Sequence, residues 1–128
     1  MVDYTRSIMM TGQPIPPRSP RRPVRAGTLA RVARDLQPHC QEAVGVLRAL
    51  ANEQRLMILC HLVPAPLSVG QLNERVPLSQ SALSQHLAVL RNAAMVRTER
   101  QSQTVYYSLA PGFVTRLLAV LHDEFCSL

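Results

Sequence analysis

Two helix-start signals in the middle of the chain constrain the fold most. Ser68 is followed three residues later by Gln71 and preceded by Leu67, which is the pattern of a capping box with an apolar contact across the cap. The short helix that this pattern predicts closes before Pro77, and Ser79 caps another helix after a turn. Two capped helices separated by a short turn are typical of a helix-turn-helix unit.

Regular patterns are also present on both sides of this unit. Apolar residues at three-and-four spacing predict a first helix from about His39, and Asn52 caps a second. After Ala94 the pattern changes to alternation, which predicts a β-hairpin with the polar link 101–103, and Pro111 suits the first turn of a last helix. The predicted fold is therefore mainly α with a small β-hairpin, in the order α-α-α-α-β-β-α, as in a winged helix-turn-helix.

The first part of the chain differs in composition from the rest. Residues 1–36 contain five prolines and seven arginines against two aspartates, so they carry +5 of the formal net charge of +6. We find no helical or strand periodicity there and interpret residues 1–36 as a disordered basic Pro/Arg-rich arm. Residues 37–128 then form the predicted winged-helix domain. A transit peptide is an alternative interpretation of the arm, which the prolines oppose.

The helix after Ser79 has one apolar face, and its other side carries side chains that both donate and accept hydrogen bonds. Gln can pair with adenine, Ser with several base edges, and Arg with guanine or phosphate, so this chemistry suits the major groove. The hairpin would lie beside the helix as a wing on the phosphate backbone. A merely solvated face is the alternative, and His86, at the border of the apolar face, either packs in the core or contacts DNA. The candidate DNA-binding residues are Gln80, Ser81, Ser84, Gln85, His86, Arg91, Arg97 and Arg100.

Several other classes of protein are disfavoured by features that the sequence lacks. It has no glycine-rich phosphate loop, no paired carboxylates in a plausible cleft pattern and no supported Ser/His/Asp set, so we expect neither an enzyme nor a cofactor. No apolar run reaches the ~18 residues of a membrane span. Three cysteines without a CxxC spacing fit a reduced, cytoplasmic protein. A winged-helix module that binds other proteins remains an alternative.

The chain resembles the ArsR/SmtB class of bacterial winged-helix repressors over about residues 40–126. The similar stretches follow in order and read LRALANEQRLMILCHL, LSVGQLNERVPLSQSALSQHLAVLR and a hairpin ending in TVYYSL. The resemblance implies a homodimer formed through the first and last helices, with two recognition helices in successive major grooves of an inverted-repeat operator. It also implies an effector that lowers the affinity for double-stranded DNA. Segments 67–72 and 122–126 do not reproduce the metal-ligand sets of the class, so metal sensing is disfavoured.

Two cysteines resemble the pair found in the persulfide-responsive, SqrR/BigR/HlyU-like branch of this class. The resemblance implies that Cys60 and Cys126 become linked through sulfur atoms by reactive sulfur species, which would release the operator. His61 and His122 could favour the thiolates if suitably oriented. In the alternative interpretations Cys60 is an inert core residue and Cys126 a frayed terminal residue, or these two cysteines bind zinc together with His122. Cys40 has no clear partner.

Overall fold

Six helices and three short strands form the part of the chain that the computed structural model describes, residues 26–126. A 3-10 turn at Gln37–His39 joins the first two helices, and within residues 26–126 no helix is both long and apolar enough to span a membrane. The predicted mainly helical fold with a hairpin is confirmed. The elements are α1 Ala26–Leu36, α2 Cys40–Leu50, α3 Glu53–Leu62, β1 Leu67–Ser68, α4 Val69–Arg75, α5 Gln80–Asn92, β2 Val96–Gln101, β3 Thr104–Leu109 and α6 Phe113–Phe125.

The two helices of the helix-turn-helix, α4 and α5, begin at the predicted caps. Ser68 Oγ accepts a hydrogen bond from the Gln71 amide at 3.2 Å, and Gln71 Oε1 accepts one from the Ser68 amide at 2.9 Å. Ser79 Oγ accepts from the Ala82 amide at 3.2 Å. Each bond satisfies a backbone N–H that would otherwise lack a partner in the first helical turn, so these serines fix where α4 and α5 start.

The core lies where α3, α4, α5 and the sheet meet. In α5 the side chains of Leu83, Leu87 and Leu90 are buried, as their spacing predicts. Burial of each such side chain contributes roughly 1.5–3 kcal/mol to the free energy of unfolding. The core is completed by residues from the neighbouring elements, namely Ile58, Leu59, Leu62, Leu67, Leu72, Val76, Met95, Val96, Val114 and Leu118.

Helix α5 ends in a Schellman motif that turns the chain into β2. The Met95 amide donates to the carbonyl oxygen of Leu90 at 2.9 Å, and the Ala94 amide donates to that of Arg91 at 3.0 Å. Ala94 has a φ of 56°, a left-handed conformation that glycine usually adopts at this position. Met95 is buried, so the end of α5 is anchored in the core.

The sheet is antiparallel and has the strand order β1-β3-β2. Strands β2 and β3 form the predicted hairpin, in which Gln101 pairs with Thr104 around a two-residue turn. Strand β1 pairs Leu67 with Tyr107 and was not predicted, because two residues are too few to show alternation. This pairing connects the residues that start α4 directly to the wing.

Helix α1 corrects the prediction of a disordered arm over residues 1–36. Residues 26–36 are helical, and Leu29, Val32 and Leu36 lie at helical spacing along one side. All three side chains are exposed, so α1 adds no apolar group to the core. Residues 1–25 lie outside the described residues, and the division between arm and domain stays a prediction.

The start of α6 also differs from the prediction. Pro111 precedes the helix instead of lying in its first turn, and Gly112 occupies the N-cap position with a φ of 96°. This left-handed conformation favours glycine, and it turns the chain from β3 into the direction of α6.

Candidate nucleic-acid interface

Helix α5 has a polar outer face opposite its three buried leucines. Gln80, Ser81, Ser84, Gln85 and Arg91 are all exposed there, as the sequence predicts. The first turn contains no acidic residue, so nothing on it opposes the partial positive charge of the helix N-terminus. The face therefore combines neutral hydrogen-bonding groups with an electropositive end, which suits both base edges and phosphates.

His86 lies on the inner border of this face and is half-buried. Its Nδ1 is 3.4 Å from Nη1 of Arg55 in α3. The ring is therefore neither fully packed in the core nor fully exposed like Gln85 beside it. One edge of the imidazole contacts a neighbouring helix, and part of the ring remains accessible to solvent.

Arg55 is a residue of this site that the sequence does not reveal. Its Nε donates to the carbonyl oxygen of Ala49, and its Nη2 donates to that of Arg48 at 3.1 Å. Its backbone amide donates to Oδ1 of the predicted N-cap Asn52 at 3.0 Å. The guanidinium thus joins the end of α2 to α3 and reaches His86 in α5. The contact with His86 spans 31 residues of sequence, so no local sequence pattern predicts it.

The two arginines predicted for the wing are exposed but point to opposite faces of β2. Alternation along a strand places residues at odd separation on opposite sides. Arg100 shares a face with Val96, which packs into the core, and its cross-strand partner is Val105. Arg97 lies opposite Ser108 on the other face. The structure therefore does not bring Arg97 and Arg100 together on one surface.

Cys60 and Cys126 are free thiols at the ends of two helices. Cys60 is half-buried near the end of α3, and Cys126 directly follows α6, where its amide donates to the carbonyl oxygen of His122 at 2.8 Å. Burial and, as the smaller cause, the charge of a nearby Cys126 thiolate together raise the pKa of the Cys60 thiol from 9.0 to about 11. The structure thus brings these two cysteines near each other, while Cys40 is exposed at the start of α2.

His61 does not stabilise a thiolate at Cys60, as the sequence had suggested it could. Burial lowers the pKa of His61, and the charge of Arg75 lowers it further, so His61 is neutral at neutral pH and provides no positive charge for a thiolate. Nδ1 of His122 lies 3.8 Å from a carboxylate oxygen of Asp123. Among residues 26–126 no group of three or more His, Cys, Asp or Glu side chains is arranged to hold a metal ion.

These features define a class of protein. A short capped helix, a turn, a second helix with a polar outer face and a following hairpin make a winged helix-turn-helix, the architecture that places a recognition helix in the major groove of DNA. Residues 52–98 match the family model described as bacterial regulatory protein, arsR family. The chain belongs to this family, and it is a DNA-binding transcriptional regulator, not an enzyme.

Individual relatives support the assignment. The chain is 47% identical over 92 residues to the transcriptional activator HlyU of Vibrio cholerae, a match that covers 72% of this chain and 85% of HlyU. It is 33% identical over 93 residues to the biofilm growth-associated repressor of Xylella fastidiosa, covering 73% and 82%. The structure of reduced HlyU from Vibrio cholerae matches with a TM-score of 0.67 at 46% identity, over 73% of this chain and 99% of that chain.

Proposed function

We propose that this regulator is a homodimeric repressor that leaves its operator when Cys60 and Cys126 become linked through sulfur by a persulfide or another oxidant. The observation that carries the proposal is the placement of the two thiols. They end α3 and α6 and lie near enough for one thiolate to raise the pKa of the other thiol. The cytoplasm, where thiols are kept reduced between signals, is the proposed site of action.

Exposed apolar side chains support a dimer formed through α2 and α6. A surface of this kind is expected where two copies pack together, because burying it removes apolar area from water. A symmetric dimer would place two copies of α5 about one turn of DNA apart, which fits an inverted-repeat operator. The residues concerned are Val44, Leu47, Phe113, Val120 and Phe125.

The linkage can be written with a persulfide as the only oxidant. The Cys126 thiolate attacks the outer sulfur of R–S–SH, which gives Cys126–S–SH and the thiol R–SH. The Cys60 thiolate then attacks the Cys126 sulfur, the S–SH bond breaks, and hydrosulfide leaves as H₂S after taking up a proton. Overall two cysteine thiols and one persulfide give one disulfide, R–SH and H₂S. The cysteine sulfurs are oxidised and the outer sulfur of the persulfide is reduced.

The surroundings of Cys60 set the order of these steps. Because burial holds Cys60 in the thiol form at neutral pH, it is a poor first nucleophile. Cys126 therefore reacts first. Cys60 then needs to attack only the adjacent Cys126–S–SH, for which its proximity compensates the low fraction of thiolate.

A bond between α3 and α6 would act on the recognition helices through the core. Leu59 of α3 is buried with Leu87 of α5, and Arg55 of α3 reaches His86 of α5. Since α6 belongs to the proposed dimer surface, pulling the end of α3 towards Cys126 changes how each α5 is held relative to the dimer axis. A changed separation of the two α5 helices no longer matches two successive major grooves.

The test measures operator affinity before and after treatment with an organic persulfide. A duplex is first selected from a random-sequence pool with the reduced protein, and binding is followed by fluorescence anisotropy at fixed salt. We expect treatment to weaken binding by roughly 5- to 150-fold, the usual size of an effector coupling. Dithiothreitol should restore binding.

Three single variants provide the controls. Cys60→Ser and Cys126→Ser should bind the duplex but no longer respond to persulfide, whereas Cys40→Ser should respond like the wild type. Intact mass spectrometry should show a link between Cys60 and Cys126 only in responsive proteins. A wild type that keeps its affinity after treatment, or a Cys60→Ser variant that still responds, contradicts the proposal. Loss of affinity on adding Zn²⁺ to the reduced protein would favour the metal-responsive alternative.

A further inference from the structure

We propose that Arg55 fixes the tautomer of His86, and that His86 thereby presents its Nε2–H as a hydrogen-bond donor to operator DNA. Arg55 is a positioning residue in this proposal and does not itself touch DNA. The inference rests on the DNA-binding role of α5 within the proposed function, but it involves neither cysteine and concerns the reduced protein.

The first step follows from what an arginine can do. A guanidinium group has only N–H donors and accepts no hydrogen bond. Nη1 of Arg55 lies 3.4 Å from Nδ1 of His86, so Nδ1 is the acceptor in this contact. In a neutral imidazole that accepts at Nδ1, the proton lies on Nε2. The neighbouring arginine therefore selects one of the two tautomers.

The second step is that Arg55 is held in place by other bonds. Its Nε and Nη2 donate to the carbonyl oxygens of Ala49 and Arg48, which lie in the last turn of α2. Carbonyl groups there lack partners within the helix, and this end of a helix favours a cation. With two sides of the guanidinium fixed in this way, Nη1 stays directed towards His86.

The third step concerns the other edge of the imidazole. His86 is half-buried on α5 beside the exposed Gln85, and its Nδ1 edge is taken up by the contact with Arg55. A donor at Nε2 suits acceptors of DNA, either a phosphate oxygen or a base-edge atom such as guanine O6 or N7. The opposite tautomer would present a lone pair to the same atoms and repel them.

Two substitutions of His86 separate its two nitrogens. In His86→Gln the side-chain amide nitrogen takes the place of Nε2, so a donor towards DNA is kept. In His86→Asn the shorter side chain reaches only the position of Nδ1, so the contact with Arg55 is kept and the one with DNA is lost. We expect His86→Gln to bind near wild-type affinity and His86→Asn to bind roughly tenfold or more weakly, because a dimer loses two hydrogen bonds.

Binding to the selected duplex and to random DNA identifies the acceptor. If His86→Asn loses affinity only for the selected duplex, the acceptor of the His86 hydrogen bond is a base atom. If it loses affinity equally for both duplexes, the acceptor is a phosphate oxygen. Thermal unfolding of each variant, measured alongside, shows whether it is folded. Wild-type affinity in a folded His86→Asn variant overturns the proposal.

The tautomer itself can be measured without any substitution. A long-range ¹⁵N–¹H NMR spectrum distinguishes the protonated from the unprotonated ring nitrogen of a neutral histidine. We expect the proton of His86 on Nε2 in the reduced wild type, and a mixture of tautomers in Arg55→Lys, whose single ammonium cannot hold both carbonyls and His86. A wild-type proton on Nδ1 overturns the proposal, even if the persulfide response is present. Conversely, a missing persulfide response leaves this result unaffected, so the two proposals fail separately.

Discussion

Cys60 at the end of α3 lies close enough to Cys126 after α6 that a thiolate on Cys126 raises the pKa of the Cys60 thiol. Burial is the larger cause of the same shift. Together they keep the Cys60 thiol protonated up to a higher pH than an ordinary cysteine, which makes it a weaker nucleophile.

The pKa of Cys60 predicts where its thiol titrates. In ¹³C-cysteine-labelled protein the Cβ resonance of Cys60 should titrate at about pH 11 instead of near the ordinary value of 9.0. In Cys126→Ser the titration should move to lower pH, because one cause is removed, but should stay above 9.0, because burial remains. A Cys60 titration near 9.0 in the folded wild type would contradict the buried placement.

The raised pKa of Cys60 also makes the free energy of unfolding depend on pH. The folded state keeps the Cys60 proton to a higher pH than the unfolded chain, so between pH 9.0 and about 11 it binds more protons. The contribution of Cys60 to the free energy of unfolding is therefore fully present below pH 9.0 and is lost as the pH rises through about 11. The free energy of unfolding, measured by urea denaturation across this pH range, should fall more steeply with pH for the wild type than for Cys60→Ser. Cys40→Ser is the matched control.

Ala94→Gly should stabilise the protein. Ala94 has a φ of 56° in the Schellman motif that ends α5, a conformation that costs a residue with a Cβ roughly 1 kcal/mol relative to glycine. We expect the free energy of unfolding to rise by up to about 1 kcal/mol, measured by urea denaturation. Ala93→Gly, at the preceding position with an ordinary φ of −84°, should instead destabilise, since glycine only adds entropy to the unfolded chain there. Equal effects at both positions would argue against the motif.

The core side of α5 should be far more sensitive to truncation than its outer side. Leu87 is buried, and Leu87→Ala should lower the free energy of unfolding by about 2–5 kcal/mol through lost burial and a cavity. Val89 is 39% exposed on the same helix, and Val89→Ala should change it by less than about 1 kcal/mol. Similar losses for the two variants in urea denaturation would mean that α5 packs through a different face.

The two wing arginines should differ in their contribution to DNA binding. Arg100 lies near the tip of the hairpin on the face that packs towards the helices, whereas Arg97 lies on the other face together with Glu99. We expect Arg100→Ala to reduce the slope of log K against log salt by about 1.8, the value for two phosphate contacts, one from each protomer of the proposed dimer, and Arg97→Ala to leave it nearly unchanged. An equal reduction in both variants would show that both faces of β2 meet the backbone.

Gln85→Ala should weaken binding to the selected duplex much more than binding to random DNA. Gln85 is exposed on the outer face of α5, where a glutamine side chain can pair with adenine through two hydrogen bonds. Losing these two hydrogen bonds costs roughly 1–3 kcal/mol of binding free energy at each half-site. Anisotropy titrations with both duplexes at the same salt concentration measure the difference. An equal loss on both duplexes would place Gln85 at the backbone or in the fold of α5.

Local features of this fold were predictable from the sequence. The caps at Asn52, Ser68 and Ser79 depend on residues three positions apart, so the pattern that predicts each cap also contains its partner. The buried face of α5 and the hairpin follow from periodicity in the same way. The candidate DNA-binding face was found because its residues belong to one helix.

Features that depend on distant residues or weak patterns were not predictable. Arg55 in α3 contacts His86 in α5 across 31 residues of sequence, so the pattern around either residue does not predict the contact. Helix α1 was missed because its apolar residues stand among arginines and prolines and do not belong to the buried core of the described part of the chain. The opposite directions of Arg97 and Arg100 follow from strand alternation, but only once the strand is known to run through both residues.

The strand order leaves β2 at the edge of the sheet, with β3 along one side and no strand along the other in residues 26–126. An open edge of this kind offers unpaired backbone groups to any extended chain, and charged side chains are a common safeguard against such pairing. Arg97, Glu99 and Arg100 occupy this edge. Arg100, which is expected to meet a phosphate, would then act together with Arg97 and Glu99 to keep the regulator from aggregating while it is not bound to DNA.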